Sequence, residues 1–138
     1  IKDRRVFKDL VFIIFMQKDI KYIVKEISKL KCVSCIFLFG SYVSGKRRKD
    51  SDIDIAVLTK NAKEKDILNI FGFSNEIFDV SVFSRLPLQI QFRVLRDGKV
   101  IFCRSEKDLY DIKVEVFRRY LDFSHFLKNF YRSVINNV

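Results

Sequence analysis

The sequence predicts a mixed α/β or α+β domain, with a small mixed sheet of about four strands, flanking helices and a long C-terminal helix. Apolar residues recur at helical spacing in some stretches and form β-branched or aromatic runs in others, so helices and strands alternate. Only 4 Gly and 1 Pro among 138 residues favour regular elements joined by short connections. With 49% hydrophobic residues, one domain over 1–138 is expected, with a helical N-terminal extension at 1–16 and a C-terminal helical segment at 106–136.

The first third of the chain is predicted to hold helices and then two strands. Apolar residues spaced by three or four predict an amphipathic helix over 18–30, and the stretch 3–16 is also predicted to be helical. The run VSCIFLF (33–39) is typical of a buried strand. A second strand is predicted for SDIDIAVL (51–58), which brings two carboxylates onto a sheet.

The middle of the chain alternates between helix and strand. A short helix is predicted over 62–71, because Asn61 can cap its first turn and a glycine follows its end. The alternating run IFDVSVF predicts a third strand over 77–83. Residues 87–98 carry Pro near the start and Gly at the end, which is the asymmetry of a helix. KVIFC (99–103) predicts a short fourth strand.

From Lys107 to the C-terminus, apolar residues step by three or four and predict one long helix. A helix of about 28 residues spans about 42 Å at 1.5 Å per residue, which is longer than a small domain can cover. Its far end is therefore expected to contact a partner. The alternative is a break into two helices that both pack on the sheet. His125 has no metal-ligating companion nearby and is interpreted as a surface or interface residue.

The net charge of the chain and the length of its apolar runs indicate which partners and which cellular location to expect. The chain has 27 Lys and Arg against 17 Asp and Glu, a net charge of +10, which favours a polyanionic ligand or an acidic protein surface. The apolar run Leu10–Met16 is too short to span a membrane, which takes about 20 residues, and no small-residue cleavage pattern follows it. A cytoplasmic protein without a membrane segment is expected.

The three cysteines do not form a typical metal site. Cys32 and Cys35 are one C-x-x-C pair, Cys103 is far along the chain, and a structural zinc site usually needs four ligands. Buried or half-buried reduced thiols are expected.

A Gly-Ser step follows the first strand, in the stretch LFGSYVSGKRRKDSDIDIAV (38–57). If Ser41 opens a turn there, the amides of that turn and the Ser41 hydroxyl can bind phosphate, and Gly40 lets the phosphate approach the backbone. The basic patch KRRK (46–49) either adds positive charge to this site or is a solvated turn.

Two carboxylates follow this step on the predicted second strand. Asp52 and Asp54 are two residues apart, so both should project from one face while Ile53 and Ile55 enter the core. Paired carboxylates repel each other unless a cation lies between them, and hard oxygen ligands suit Mg²⁺. A phosphate site beside paired carboxylates indicates metal-assisted phosphoryl or nucleotidyl transfer.

Other acidic or phosphate-binding motifs fit these residues less well. An EF-hand loop starting at Asp50 would need Gly and Glu where this chain has Ile55 and Asn61. A P-loop based on Gly40 and Gly45 would need a hydroxyl residue at position 47, where the chain has Arg47.

Gly40-Ser41, ten intervening residues and Asp52-x-Asp54 resemble the motif of the minimal nucleotidyltransferases in the DNA polymerase β-like superfamily. The resemblance covers about residues 18–131 and implies the polymerase β-like nucleotidyltransferase fold. The third catalytic carboxylate of the family sits on a later strand, and the matching position is Asp79.

This resemblance also implies the roles of the site residues. It implies that Asp52, Asp54 and Asp79 are catalytic and hold two Mg²⁺ ions, with ATP as the substrate. The implied nucleotide-binding residues are Gly40, Ser41, Ser51, Arg47 and Arg48. The family commonly has Ala-Arg before its second glycine, where this chain has Val43-Ser44, so Arg47 or Arg48 would replace the missing arginine.

Many minimal nucleotidyltransferases are antitoxins that silence a helical HEPN ribonuclease toxin by transferring AMP from ATP to one of its tyrosines. The resemblance therefore implies a Mg²⁺-dependent protein adenylyltransferase with a HEPN toxin as partner, and the apolar C-terminal helix is the surface expected to bind it. Two alternatives stay open: an antitoxin that neutralises its toxin by contact alone, and a transferase acting on RNA or a small molecule. Direct nucleic-acid binding is not favoured, because 138 residues leave little room for an RNA-reading domain.

Overall fold

The computed structural model describes residues 2–45 and 52–137 of the chain. Five α-helices, one 3₁₀ turn and four strands lie in these ranges. In chain order they are α1 (Lys2–Ser28), β1 (Val33–Phe39), α2 (Ser41–Ser44), β2 (Ile53–Thr59), α3 (Glu64–Phe71), β3 (Phe78–Val82), the 3₁₀ turn Phe83–Arg85, α4 (Leu88–Asp97), β4 (Lys99–Cys103) and α5 (Glu106–Asn136).

The four strands form one mixed sheet in the order β3-β2-β1-β4. β1 runs antiparallel to both β2 and β4, whereas β2 and β3 are parallel. The parallel pair needs a crossover, which α3 provides, because parallel neighbours cannot be joined by a tight hairpin. The mixed sheet of four strands predicted from the sequence is confirmed.

Helices cover both faces of the sheet. On one face, residues of α1 such as Ile23 and Ile27 pack with Ile36 of β1 and Ile55 of β2. On the other face, a second cluster joins the sheet to α4 and α5, with members including Phe37, Phe83, Val94 and Val116. Because both faces are buried, β1 and β2 read as nearly continuous apolar runs in the sequence.

Helix α1 is a single helix from Lys2 to Ser28, and it ends two residues before the predicted boundary at residue 30. The guanidinium of Arg104, which follows β4, donates hydrogen bonds to the carbonyl oxygens of Ser28, Leu30, Lys31 and Val33. These bonds satisfy carbonyls that the end of a helix leaves without partners. One side chain thus joins the C-terminal end of α1 to the sheet.

The start of α3 differs from the prediction. Asn61 does not cap the helix: it has a left-handed backbone with φ of 57°, and the N-cap residue is Lys63. The Asp66 carboxylate accepts a hydrogen bond from the Lys63 amide at 3.0 Å, so an acceptor inside the helix replaces the expected cap. The prediction of Asn61 as the cap was wrong, because Asn also readily adopts the left-handed backbone conformation of a turn.

Two strands are shorter than predicted. β2 begins at Ile53, whose amide donates to the carbonyl of Ile77 at 2.8 Å, so Asp52 precedes the strand instead of lying on it. The other residue predicted to open the strand, Ser51, lies outside the described residues. β3 ends at Val82, because Phe83 turns into the 3₁₀ segment.

Helix α5 is continuous over 31 residues, or about 46 Å, so the alternative of a break into two helices is wrong. Ser105 caps its N-terminus by accepting a hydrogen bond from the Asp108 amide at 3.2 Å. Its first half packs on α4, where the rings of Phe92 and Tyr120 stack with centroids 3.8 Å apart. Beyond Leu121 the apolar side chains are largely exposed, which fits the expectation that this end contacts a partner.

None of the helices in residues 2–45 and 52–137 combines the length and the apolar character needed to cross a bilayer.

Candidate active site

Two of the predicted carboxylates are neighbours across the parallel β2–β3 pair. Asp54 of β2 and Asp79 of β3 occupy the same register position. Ile53, Ile55 and Val80 are buried in the cluster beneath α1 and α3, so the alternation of a strand directs Asp54 and Asp79 to the opposite face. Asp54 is half-buried and Asp79 is exposed. The structure therefore brings these two predicted site residues together.

Asp54 lies in an electrostatically unfavourable environment. Burial raises the pKa of Asp54 above its usual value, and the negative charges of Asp79 and Asp52 raise it further. Among the side chains that the structure describes, which are those of residues 10, 11, 14–45 and 52–137, no Lys, Arg or His forms an ion pair with any of these three carboxylates. A bound cation is the kind of partner that would relieve this repulsion.

The donor set fits Mg²⁺ in its chemistry, since Asp52, Asp54 and Asp79 offer carboxylate oxygens of the kind that ion prefers. No three His, Cys, Asp or Glu side chains in the described ranges, however, converge closely enough to enclose a metal ion on their own. Mg²⁺ usually keeps several water or phosphate oxygens as ligands, so a pair of carboxylates with an open side suits a metal shared with a nucleotide.

Gly40 contacts the carboxylate of Asp54 directly. Phe39, the residue before it, lies opposite Asp54 in the antiparallel β1–β2 register. A Cβ atom at position 40 would overlap the Asp54 Oδ2 atom, and the φ of Gly40 is +80°, a left-handed value that disfavours any residue with a side chain. Both features require glycine here, so the Gly-Ser step packs closely against the Asp54 carboxylate.

The turn after Gly40 is tight. The amides of Val43 and Ser44 both donate to the Gly40 carbonyl, at 3.2 Å and 3.1 Å, and the Ser44 hydroxyl donates to the Ser41 carbonyl at 3.4 Å. Those two amides are therefore already engaged and are not open to a phosphate. The Ser41 hydroxyl forms no hydrogen bond with another described residue, so it is available as a donor at this turn.

The basic residues of the predicted site cannot be placed. Arg47 and Arg48, together with the rest of the KRRK patch and Ser51, lie in the segment 46–51, outside the described residues. Their predicted nucleotide-binding role stays a prediction.

A cavity beside Gly40 was not predicted from the sequence. Its volume is about 490 Å³, and its lining includes Phe39, Gly40, Ile90, Arg93 and Asp97. Ile90, Arg93 and Asp97 follow one another by three and four residues on α4, so one side of this helix forms a wall. That spacing is visible in the sequence, but only the fold shows that this side meets Gly40.

The cysteines agree with the expectation of buried or half-buried thiols. All three are free; Cys35 is buried, and Cys32 and Cys103 are half-buried. The Cys35 thiol lies 3.1 Å from the sulfur of Cys103, its neighbour across the β1–β4 pair. Burial, with the adjacent Cys103, raises the pKa of Cys35 to about 12, so Cys35 is not a nucleophile at neutral pH.

Comparisons with known proteins agree with this arrangement. Over 67 residues the chain is 36% identical to "Putative protein adenylyltransferase MJ1547" of Methanocaldococcus jannaschii, which covers 49% of this chain and 53% of that protein. The match thus spans about half the length of the curated relative.

Two solved structures have a similar fold. One chain of a structure described as a toxin-antitoxin with AMP-PNP matches with a TM-score of 0.64 and 19% identity, over 83% of this chain and 97% of that chain. One chain of a structure described as a tri-AMPylated Shewanella oneidensis HEPN toxin in complex with MNT antitoxin matches with a TM-score of 0.59 and 18% identity, over 86% and 94%. At these identities the similarity is one of fold.

The family model "Polymerase beta, Nucleotidyltransferase" matches residues 20–107, which include β1–β4 and all three aspartates of the site. By this match, and in agreement with the resemblance in its Gly-Ser and Asp-x-Asp motif, the chain belongs to the polymerase beta nucleotidyltransferase family.

Proposed function

We propose that this protein is a Mg²⁺-dependent nucleotidyltransferase that transfers AMP from ATP to a tyrosine hydroxyl of a HEPN ribonuclease toxin, and so acts as its antitoxin. The observation that carries the proposal is the cross-strand pair Asp54–Asp79, packed against the Gly40 turn. Further support comes from the curated relative named as a protein adenylyltransferase and from matched structures described as toxin-antitoxin complexes.

In the proposed reaction, the acceptor hydroxyl attacks the α-phosphorus of ATP. The new bond joins the acceptor oxygen to that phosphorus, the bond to the β-phosphate bridging oxygen breaks, and pyrophosphate leaves. In this scheme Asp79, which is exposed beside Asp54, takes the proton of the hydroxyl. Ser41 donates its hydroxyl to the triphosphate, with Arg47, Arg48 and Ser51 as further nucleotide-binding residues.

The paired carboxylates have a second role in this scheme. Asp52, Asp54 and Asp79 would hold two Mg²⁺ ions, which when bound neutralise the negative charge of the triphosphate and of the leaving pyrophosphate. Burial and the neighbouring carboxylates raise the pKa of Asp54, and bound cations would balance the repulsion among these carboxylates.

The far half of α5 is the surface we assign to the partner. Leu121, Phe126 and Phe130 are exposed by 68%, 62% and 53% of their areas. Contiguous exposed apolar residues of this size mark interaction surfaces on folded proteins.

The test is the intact mass of the HEPN-type protein encoded beside this gene, after incubation with the protein, ATP and Mg²⁺. We expect a gain of one or more AMP masses that disappears with EDTA and with Asp54→Asn or Asp79→Asn. Asp19→Asn, which removes an exposed carboxylate from α1, is the matched control and should transfer normally. Undiminished transfer by Asp54→Asn would contradict the proposed active site.

A second candidate function is neutralisation by contact alone, which the exposed apolar end of α5 favours. In that case Asp54→Asn would form the same tight complex and protect cells from the toxin as well as the unsubstituted protein does. A variant that binds the toxin but fails to protect would instead support the transferase.

A further inference from the structure

Two cysteines face each other across the antiparallel β1–β4 pair. Cys35 and Cys103 are partners in the register, and their sulfurs lie 3.1 Å apart. In the part of the chain that the structure describes, no third His, Cys, Asp or Glu lies close enough to make them a metal site. Phe39, four residues further along β1 and next to Gly40, is about 13 Å away at about 3.3 Å per residue. The pair therefore lies at the end of β1 opposite to the proposed active site.

The pairing of the strands places these cysteines where a disulfide can close. The Arg104 amide donates to the Ser34 carbonyl at 2.7 Å, so the adjacent pair Cys35–Cys103 is one without hydrogen bonds of its own. The Cα atoms of such a pair are about 4.5 Å apart, within the range of about 4.4–6.8 Å that disulfides span. The sulfurs would approach from 3.1 Å to about 2.05 Å, which needs no rearrangement of the strands.

Cys103 is the member of the pair that a reagent can reach. Cys35 is buried, whereas Cys103 is half-buried. Cys103 also lines a groove of about 340 Å³ between β4 and the first turns of α5, together with Leu109 and Tyr110. The third thiol, Cys32, packs with the core cluster on the opposite face of the sheet, so it does not compete for either sulfur.

We propose that Cys35 and Cys103 form a dithiol that a low-molecular-weight disulfide of the glutathione class oxidises to an intramolecular disulfide. The Cys103 thiolate attacks one sulfur of the reagent, the reagent's S–S bond breaks, and its other half leaves as a thiolate. Cys35 then loses its proton to water and attacks the Cys103 sulfur, which expels the second half of the reagent. The two protein thiols lose two electrons and two protons, and the reagent is reduced to two thiols.

The second step is intramolecular, which compensates for the raised pKa of Cys35. A reagent in solution meets very few Cys35 thiolates. A mixed disulfide on Cys103, by contrast, is held beside the Cys35 sulfur at an effective concentration far above that of any dissolved reagent. Cys35 is thus unreactive towards external reagents and acts only on an oxidised Cys103.

The disulfide would fix the start of α5 on the central strand. Cys103 is the last residue of β4, and it is followed by Arg104, which bonds the carbonyls at the end of α1, and by Ser105, the N-cap of α5. The two cysteines are 68 positions apart, and a cross-link that closes a long loop restricts the unfolded chain strongly. Oxidation should therefore stabilise the fold. The chemistry is independent of AMP transfer, because no residue of the proposed active site takes part.

The test treats the folded protein with oxidised glutathione at about pH 8, followed by an acid quench and mass spectrometry. Cys32→Ser removes the third thiol and serves as the background for intact masses. We expect this variant to lose two hydrogen masses and to yield a cross-linked peptide pair containing Cys35 and Cys103. The matched control, Cys32→Ser with Cys35→Ser, should instead keep one glutathione on Cys103.

Peptide mapping of the unsubstituted protein needs no variant, and it should show the same Cys35–Cys103 cross-link. A glutathione that stays on Cys103 while Cys35 is present would overturn the proposal, and so would an unmodified Cys103. At a fixed ratio of oxidised to reduced glutathione, the ratio of disulfide to dithiol should be at least tenfold higher in buffer than in urea, because the fold holds the two sulfurs together. Equal ratios in the two conditions would also overturn it.

Discussion

Gly40 and Asp54 are in such close contact that the smallest side chain at position 40 would displace the carboxylate of residue 54. The two residues lie at the ends of neighbouring strands: Gly40 directly follows β1, and Asp54 is the second residue of β2. Their contact couples the conformation of the Gly-Ser turn to the position of a proposed metal ligand. A substitution at either residue should therefore shift the other residue.

We expect Gly40→Ala to lower both stability and AMP transfer. The left-handed φ of +80° alone should cost about 1–2 kcal/mol with alanine, and the displaced Asp54 carboxylate should reduce transfer at least tenfold. Thermal unfolding and the intact-mass assay measure the two effects. Gly72→Ala is the control: its φ is −64° and an added Cβ would meet nothing closer than 3.2 Å. Equal effects of the two substitutions would contradict the proposed role of the contact.

The link between β1 and the start of α5 should depend on pH. The Ser34 hydroxyl donates to Asp108 Oδ2 at 2.8 Å and Lys60 Nζ lies 3.4 Å from Oδ1. The Ser34 hydrogen bond, with Lys60, lowers the pKa of Asp108 below its usual value. A lowered pKa means that the carboxylate stabilises the fold fully above its unfolded-state pKa of about 4, and that this contribution is lost as the pH falls through the folded-state value.

Urea unfolding of Asp108→Asn and of the unsubstituted protein, followed from about pH 2 to pH 7, checks this expectation. The difference between the urea concentrations at which the two proteins are half unfolded should be largest above about pH 5. It should decrease as the pH falls towards about 2. Asp111→Asn, on the same helix and exposed, should show no such dependence. A constant difference across the range would mean that Asp108 acts through its shape and not its charge.

Arg104 should contribute strongly to stability although its side chain is largely exposed. Its guanidinium donates to four backbone carbonyls at the end of α1 and the start of β1, and it lies over the Phe102 ring. Arg104→Met should lower the free energy of unfolding by about 1–3 kcal/mol, because several carbonyls lose a charged donor. Arg85→Met, which breaks only an exposed ion pair with Glu64, should cost less than about 1 kcal/mol. Denaturant unfolding compares the two variants.

Cys35 should resist alkylation in the folded protein. It is buried, and its pKa is raised to about 12, so almost no thiolate is present at pH 8. Iodoacetamide labelling, read by peptide mass spectrometry, should modify Cys35 at least tenfold more slowly in buffer than in urea. Equal rates in the two conditions would show that β1 opens readily.

The exposed apolar end of α5 should matter for the partner and not for the fold. Phe126→Ser combined with Phe130→Ser should leave the melting temperature nearly unchanged, because both rings are exposed, and should weaken binding of the HEPN partner at least tenfold. Tyr110→Ser, an exposed aromatic in the first half of the same helix, is the matched control. Loss of stability in the double variant would indicate that this end packs on its own domain.

Strand β1 was predictable because it is central in the sheet and buried on both faces, and β4 because a short apolar run follows a helix-ending glycine. β1 and β4 have the predicted boundaries, 33–39 and 99–103. Helix starts were harder: Asn61 has local preferences for both a cap and a left-handed turn, and only the position of Asp66 decides between them.

The part of the candidate site that lies within a short stretch of sequence was predictable. Gly40, Ser41, Asp52 and Asp54 follow one another closely, but Asp79 was identified through family resemblance, since no local pattern fixes which rung of a parallel pair faces Asp54. Arg93 and the cavity were missed, because the packing angle of α4 on the sheet is a tertiary property.

The strand order has a consequence for the growing polypeptide. β1 lies between β2 and β4, and its pairing with β4 joins Cys35 to Cys103, residues that are 68 positions apart. During synthesis β1 therefore emerges long before its second neighbour, and one edge of an apolar central strand has no partner until most of the chain has left the ribosome. Nascent chains should therefore bind chaperones or aggregate mainly after β1 has emerged and before β4 has paired with it.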